Sequence, residues 1–118
     1  MIDLERFNVF KNGLLIVNTE TDSLTTPQAQ FIEICQQKIY DAVAEELVSS
    51  VGTWTDTLVS ALQLCGLTQA FYLEIPSSLP DGLYLVLVYD GSTSSSDLPK
   101  RRGILEIAGG NIKHNIID

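Results

Sequence analysis

The residues able to do covalent or metal chemistry in this chain are few: two cysteines, one histidine and a scatter of carboxylates. Cys35 with His114 is the one nucleophile–base combination on offer, since an activated thiol needs an imidazole beside it. Cys35 falls on an apolar stripe, where desolvation disfavours a thiolate, so the pair is rejected. Cys65 also has apolar neighbours, and with no secretion signal both cysteines read as small buried hydrophobes rather than as a disulfide. A lone histidine without cysteine or carboxylate spacing around it cannot assemble the three or four ligands of a zinc site. His114 therefore reads as a solvated tail residue.

The carboxylates Glu45-Glu46, Asp56, Glu74, Asp81, Asp90, Asp97 and Glu106 show no spacing that marks a glycoside-cleaving pair. Asp90-Gly91 followed by Asp97 lacks the alternating oxygen register and closing glutamate of a calcium loop, and reads as turn chemistry. Gly109-Gly110 has neither the GxGxxG spacing nor a following helix, so it too is a turn. No catalytic, metal-ligating or cofactor-binding residue is nominated, and the chain reads as a protein that is not an enzyme and carries no cofactor.

Two features remain as binding candidates. Trp54 is a lone tryptophan beside threonines: a recognition aromatic for a sugar or a partner, or more simply a core residue. Lys100-Arg101-Arg102 is the one basic cluster and directly follows a serine-rich loop. It is a candidate anion or subunit contact, far narrower than the footprint of a nucleic-acid binder. A net charge of −8 repels nucleic-acid phosphates and anionic membrane surfaces. The expected partner is protein, not nucleic acid or membrane.

Length and composition set the frame for these residues. A chain of 118 residues suits a single domain, and one of this size buries somewhat over 60% of the surface its unfolded chain exposes. Hydrophobic residues make up 45% and charged ones 19%, which is a globular composition. The longest apolar run, Leu83–Tyr89, is far short of the roughly 20 residues needed to span a bilayer. The opening MIDLERFNVFKNG has acids before any base and no signal-peptide core, so cytoplasmic synthesis is expected.

Elements follow from the patterning. FNVF and LLIV flank Lys11-Asn12-Gly13, and Asn-Gly is a strong hairpin signal because both residues tolerate positive φ. Thr26 as cap and Pro27 at the first helical position open a helix expected over Pro27–Val48, with Phe31, Cys35, Ile39, Val43 and Leu47 recurring every four residues. Trp54–Cys65 fits either a helix capped at Thr53 or a strand, with periodicity favouring the helix. Phe71–Ile75 alternates as a half-buried strand ended by Pro76, Asp90–Pro99 is a flexible loop, Gly103–Ala108 is another strand, and Ile112–Ile117 forms a short last one. Leu83–Tyr89 is apolar on both faces, with Leu83, Leu85, Leu87 and Tyr89 pointing one way and Tyr84, Val86 and Val88 the other. Such a strand sits at the centre of a sheet and is covered twice, by a second sheet on one side and by the helix or a neighbouring subunit on the other.

The segments WTDTLVSALQ, FYLEIP, LPDGLYLVLVYD and GILEIAGGN together resemble a small β-rich, immunoglobulin-like module of tailed-bacteriophage and prophage structural proteins. The resemblance spans residues 54–111 and is carried by Trp54, Asp56, Tyr72, Pro76, Leu79-Pro80, Gly82, Tyr84, Asp97 and Gly109. The chain departs from the pattern at Ile107-Ala108, where the module has a tryptophan before its closing glycine. The resemblance implies assembly or surface display, a place in a virion, no catalytic residues, and a strand over Trp54–Gln63. The expectation is an α+β domain over residues 1–118: an antiparallel sheet, as a sandwich or small barrel of immunoglobulin-like character, with one packed helix at about 27–48. Its function is a non-enzymatic structural or assembly role through protein contacts, with homo-oligomers among its partners because edge strands pair. The alternative is a small carbohydrate- or ligand-binding module.

Overall fold

The computed structural model describes residues 8–9, 13–18, 24–63, 70–109 and 111–113. The chain runs through β1 (Asn8–Val9), β2 (Leu14–Asn18), β3 (Pro27–Glu33), β4 (Lys38–Asp41) and β5 (Glu46–Val48), then a 3-10 turn at Trp54–Thr57. It continues with β6 (Val59–Ser60), β7 (Leu62–Gln63), β8 (Ala70–Glu74), β9 (Gly82–Asp90), β10 (Arg101–Ala108) and β11 (Asn111–Lys113). Four strands form one sheet in the order β1-β2-β8-β7, and seven form the other in the order β11-β10-β9-β3-β4-β5, with β6 also beside β3. Among the described residues every pairing is antiparallel. No helix among them is long and apolar enough to cross a membrane.

The helix expected over 27–48 is instead a ladder of three strands, β3, β4 and β5. Two four-residue turns, Ile34–Gln37 and Ala42–Glu45, are built alike. An acid opens each: Glu33 Oε1 accepts from the amides of Cys35 and Gln36 at 2.5 and 3.1 Å, and Asp41 Oδ1 from those of Val43 and Ala44 at 2.9 Å each. A left-handed residue closes each, Gln37 at φ 56° and Glu45 at φ 57°. Strand and turn together repeat every eight residues, so an apolar residue every fourth position samples strand, turn, strand, turn, strand. That recurrence imitates a helical stripe. Cys35 and Val43 are the turn samples and stand exposed, so Cys35 is no buried thiol. The pairing partner of Cys35 in any disulfide, Cys65, lies outside the described residues. Pro27 opens β3, where a strand tolerates proline, and its carbonyl accepts the Ala61 amide at 3.0 Å.

Trp54–Cys65 is neither one helix nor one strand. After the 3-10 turn, β6 pairs with β3 in the large sheet and β7 with β8 in the small one. The chain changes sheets at Ala61, and no single period survives such a crossing. The two strands expected to flank Lys11-Asn12-Gly13 pair as β1 and β2, with Asn8 opposite Ile16 and Val9 opposite Leu15; Lys11 and Asn12 lie outside the described residues. The expected last strand is present as β11, and its continuation beyond Lys113 lies outside the described residues.

One core joins the sheets. Leu15, Val17, Phe71 and Leu73 from the small sheet cluster with Ala29, Phe31, Tyr84, Val86, Val88, Leu105 and Ile107 from the large one. β9 lies between β3 and β10, with Phe31, Val86 and Gly103 in one lateral row. Tyr84, Val86 and Val88 are each 0% exposed, and complete burial of a large apolar side chain contributes about 1.5–3 kcal/mol. Tyr84 donates its hydroxyl to the Pro80 carbonyl, four residues upstream, at 2.6 Å. Burial first, then the charges of Glu33 and Asp81, push its phenol up to about 12. Gly82 leaves room for Glu33: a Cβ there would stand 2.7 Å from Glu33 Oε2.

Two substitutions test this arrangement. Val86→Asp puts an unpaired charge in the shared core and is expected to abolish soluble folded protein, as read by expression and circular dichroism; a soluble, folded variant contradicts the placement of β9. Glu45→Gly relieves a left-handed residue, so it is expected to raise stability by roughly 0.5–1 kcal/mol in denaturant unfolding. Within a helix the same change would lower stability by about as much, so the sign alone separates hairpin from helix.

Candidate interaction surface

Directly paired residues share a face of a sheet, so the registers define what the large sheet shows away from the core. Val48 pairs with Ile39, Ile39 with Ile32, Ile32 with Leu85, and Leu85 with Ile104. Five branched aliphatic side chains thus lie in one lateral row across β5, β4, β3, β9 and β10. All five are only half-buried. Leu83 and Leu87 flank Leu85 on the same face, also half-buried, and Ile34, 37% exposed, donates its amide to the Leu83 carbonyl at 2.8 Å. One face of β9 is therefore dry and the other open. The helix expected to cover this second face does not exist.

Part of that face is covered at one end by the 3-10 turn. Gln30, 2% exposed, donates from Nε2 to Thr57 Oγ1 at 2.9 Å, and the Thr57 hydroxyl donates to the Trp54 carbonyl at 2.7 Å. Trp54 meets Tyr89 edge to face with ring centroids 5.5 Å apart, and its indole N–H donates to Ser92 Oγ at 2.9 Å. The candidate recognition tryptophan is thereby a strut between the 3-10 turn and the 91–99 loop.

The basic cluster does not act as one patch. Arg101 and Arg102 are not in a loop but open β10, where successive side chains point to opposite faces. Arg101 turns to the core side and is buried, Lys100 is exposed, and Arg102 sits on the open face beside Leu87. Arg102 Nε is shielded from solvent and has no hydrogen-bond acceptor. Of the three, only Arg102 belongs to the aliphatic surface.

Half of the described carboxylates serve as turn fasteners. Besides Glu33 and Asp41, Asp90 Oδ1 accepts the amides of Thr25 and Thr26 at 3.1 and 2.6 Å, and Asp81 Oδ2 accepts that of Gly109 at 2.8 Å. Asp97 Oδ2 accepts the Ser92 hydroxyl at 2.9 Å and the amides of Thr93 and Ser94 at 3.1 and 3.3 Å. The 91–99 loop is thus anchored along its length. Among the described residues no group of His, Cys, Asp and Glu is arranged to hold a metal ion, and His114 lies outside them.

An open cleft of about 510 Å³ runs between the sheets, lined by Tyr40, Glu45, Ser60, Glu74 and Ser78 among others. Tyr40 and Ser78 join their hydroxyls across it. Sequence patterning misses this cleft and the aliphatic row alike, because both depend on β4 and β5. The acid at each strand end followed by four turn residues is the signal that could have found them.

Compared with known families, curated proteins and solved structures, the chain finds no match.

The hydrogen bond from Ser92, followed by those from Thr93 and Ser94, holds the Asp97 carboxyl below the ordinary aspartate range. A carboxyl depressed in the folded state stabilises the loop above its unfolded value, and that stabilisation is lost as pH falls through the depressed one. Trp54 reports the change through Ser92. Its emission is expected to shift on acidification with a midpoint below the ordinary aspartate value, and Asp97→Asn is expected to remove that transition. A fluorescence titration checks this; an identical transition in the variant contradicts it.

Proposed function

We propose that this chain is a non-enzymatic structural or assembly protein of phage or prophage type, working through protein–protein contacts. The observation that carries the reading is the aliphatic row Val48, Ile39, Ile32, Leu85 and Ile104, continuous over five strands and only half covered. A contiguous apolar patch on a sheet marks an interaction site more often than a scatter of single residues does. Half of the described carboxylates, which a catalytic reading would need free, accept backbone amides instead.

Two further features support an immunoglobulin-like module. Two antiparallel sheets share one core, and a tyrosine at the start of a central strand bonds back to the chain four residues upstream, the corner found in sandwiches of that kind. The resemblance of residues 54–111 to phage structural modules points the same way. On this reading the chain is made in the cytoplasm and ends in a particle.

The test is mass spectrometry of particles purified after induction of the source strain, read together with the flanking genes. The chain is expected among the particle proteins, with capsid, portal or tail genes on either side. Its confinement to the particle-free fraction, amid metabolic genes, overturns the reading.

The ligand-binding alternative keeps one observation in its favour, the cleft between the sheets with its two carboxylates and four hydroxyls. Chemical shifts of Tyr40, Ser60 and Ser78 are expected to move in a sugar titration if it binds saccharides; no movement across a panel removes that reading.

A further inference from the structure

We propose that the open face of the large sheet docks onto the same face of a second copy of this chain. The two-fold axis runs across the strands along the aliphatic row, and Arg102 of each copy meets Glu106 of the other. The proposal rests on the assembly reading and specifies its partner. On β10 the residues facing this surface are Arg102, Ile104 and Glu106 in turn: a base, an aliphatic residue of the row, then an acid. A two-fold along the row carries each strand onto its own copy with direction reversed. Ile104 then faces Ile104, Leu85 faces Leu85, Leu87 faces Leu83, and Arg102 faces Glu106. An isologous contact needs just this self-complementarity.

Three observations narrow the choice. Arg102 lies half-buried on this face and its shielded Nε has no acceptor within the chain, so a carboxylate of a second copy, meeting the guanidinium at its outer nitrogens, would pair its charge. Asp41 and Glu46 lie on the Arg102 side of the row, and the same two-fold turns them towards the Gln37 and Ser50 ends of their own strands, not towards further acids. The 3-10 turn stands over Gln30 and Tyr89 at one end of the face. A two-fold along the strands would bring the turns of both copies together, whereas one across the strands sets each beyond the other's Leu83 and Ile34.

Five strands at about 4.8 Å spacing and three rows along them give a face of roughly 24 by 20 Å, near the lower limit for a specific interface. The net charge of −8 on each copy opposes association at low ionic strength. The pair is accordingly a weak dimer, favoured at physiological salt, where long-range repulsion is screened.

Sedimentation equilibrium of the full chain from low micromolar to near-millimolar concentration tests this. The wild type is expected to shift reversibly from monomer to dimer. Arg102→Glu and Glu106→Arg are each expected to weaken the dimer about tenfold or more through like-charge contacts, and the double variant to regain most of the affinity. Thermal midpoints confirm that each variant folds. A wild type that stays monomeric overturns the proposal, as does a double variant no better than the singles. A dimer indifferent to all three variants uses another surface, which overturns the proposal while the assembly reading stands; that reading fails separately, on the particle test.

Discussion

β9 is the member on which the rest of the molecule hangs. Its backbone is bonded on both edges, to β3 and to β10, so its amides and carbonyls are satisfied without water. Its even-numbered side chains, Tyr84, Val86 and Val88, are 0% exposed and meet the small sheet. Both ends are fastened as well. At the start Tyr84 ties back to Pro80, and Gly82 admits the Glu33 carboxylate that organises the turn after β3. At the finish Asp90 holds the approach to β3 through two amides. Removing β9 would leave two separate fragments of sheet and take Tyr84, Val86 and Val88 out of the shared core.

The candidate surface is a consequence of that same strand. Strict alternation gives β9 an apolar second face, and the antiparallel registers extend it into β10, β3, β4 and β5. Along the row itself the pattern is unbroken; Gln30, Asp41 and Glu46 join Arg102 on one flank, and Glu106 stands on the other. The small sheet occupies one side and the 3-10 turn one end of the other, so the open area is bounded and shaped. On β10 the two flanks carry opposite charges, Arg102 and Glu106, which favours a partner that fits in one orientation, since misplaced contacts set like charges together. The carboxylates contribute in a different way: several hold turns in place, as Asp97 does along the 91–99 loop.

Residues with local signatures are legible in the amino-acid sequence itself. Asn12-Gly13 announces a hairpin, the alternation of Phe71–Ile75 a half-buried strand, and the doubly apolar run Leu83–Tyr89 a sheet centre. The segment 27–48 misleads because two similar hairpin turns, eight residues apart, place an apolar residue at every fourth position. Branched Ile32, Ile34, Ile39, Val43 and Val48 favour strands, but a sum over spacing alone is blind to that preference. The candidate surface is lost with it, since Ile32, Ile39 and Val48 align with Leu85 only when β3, β4 and β5 exist. Trp54 stands out by its residue type, yet its ring is tied to Ser92 and Tyr89. The basic cluster stands out by adjacency, which a strand splits between its two faces.

Native-state hydrogen exchange measured residue by residue addresses the central strand most directly. The amides of residues 83–89, bonded to neighbours on both edges, are expected to exchange only through global opening, with protection equal to the whole unfolding free energy. Exchange there as fast as in the exposed 49–53 segment would contradict a strand at the heart of the sheet, and the surface laid out upon it would go with it.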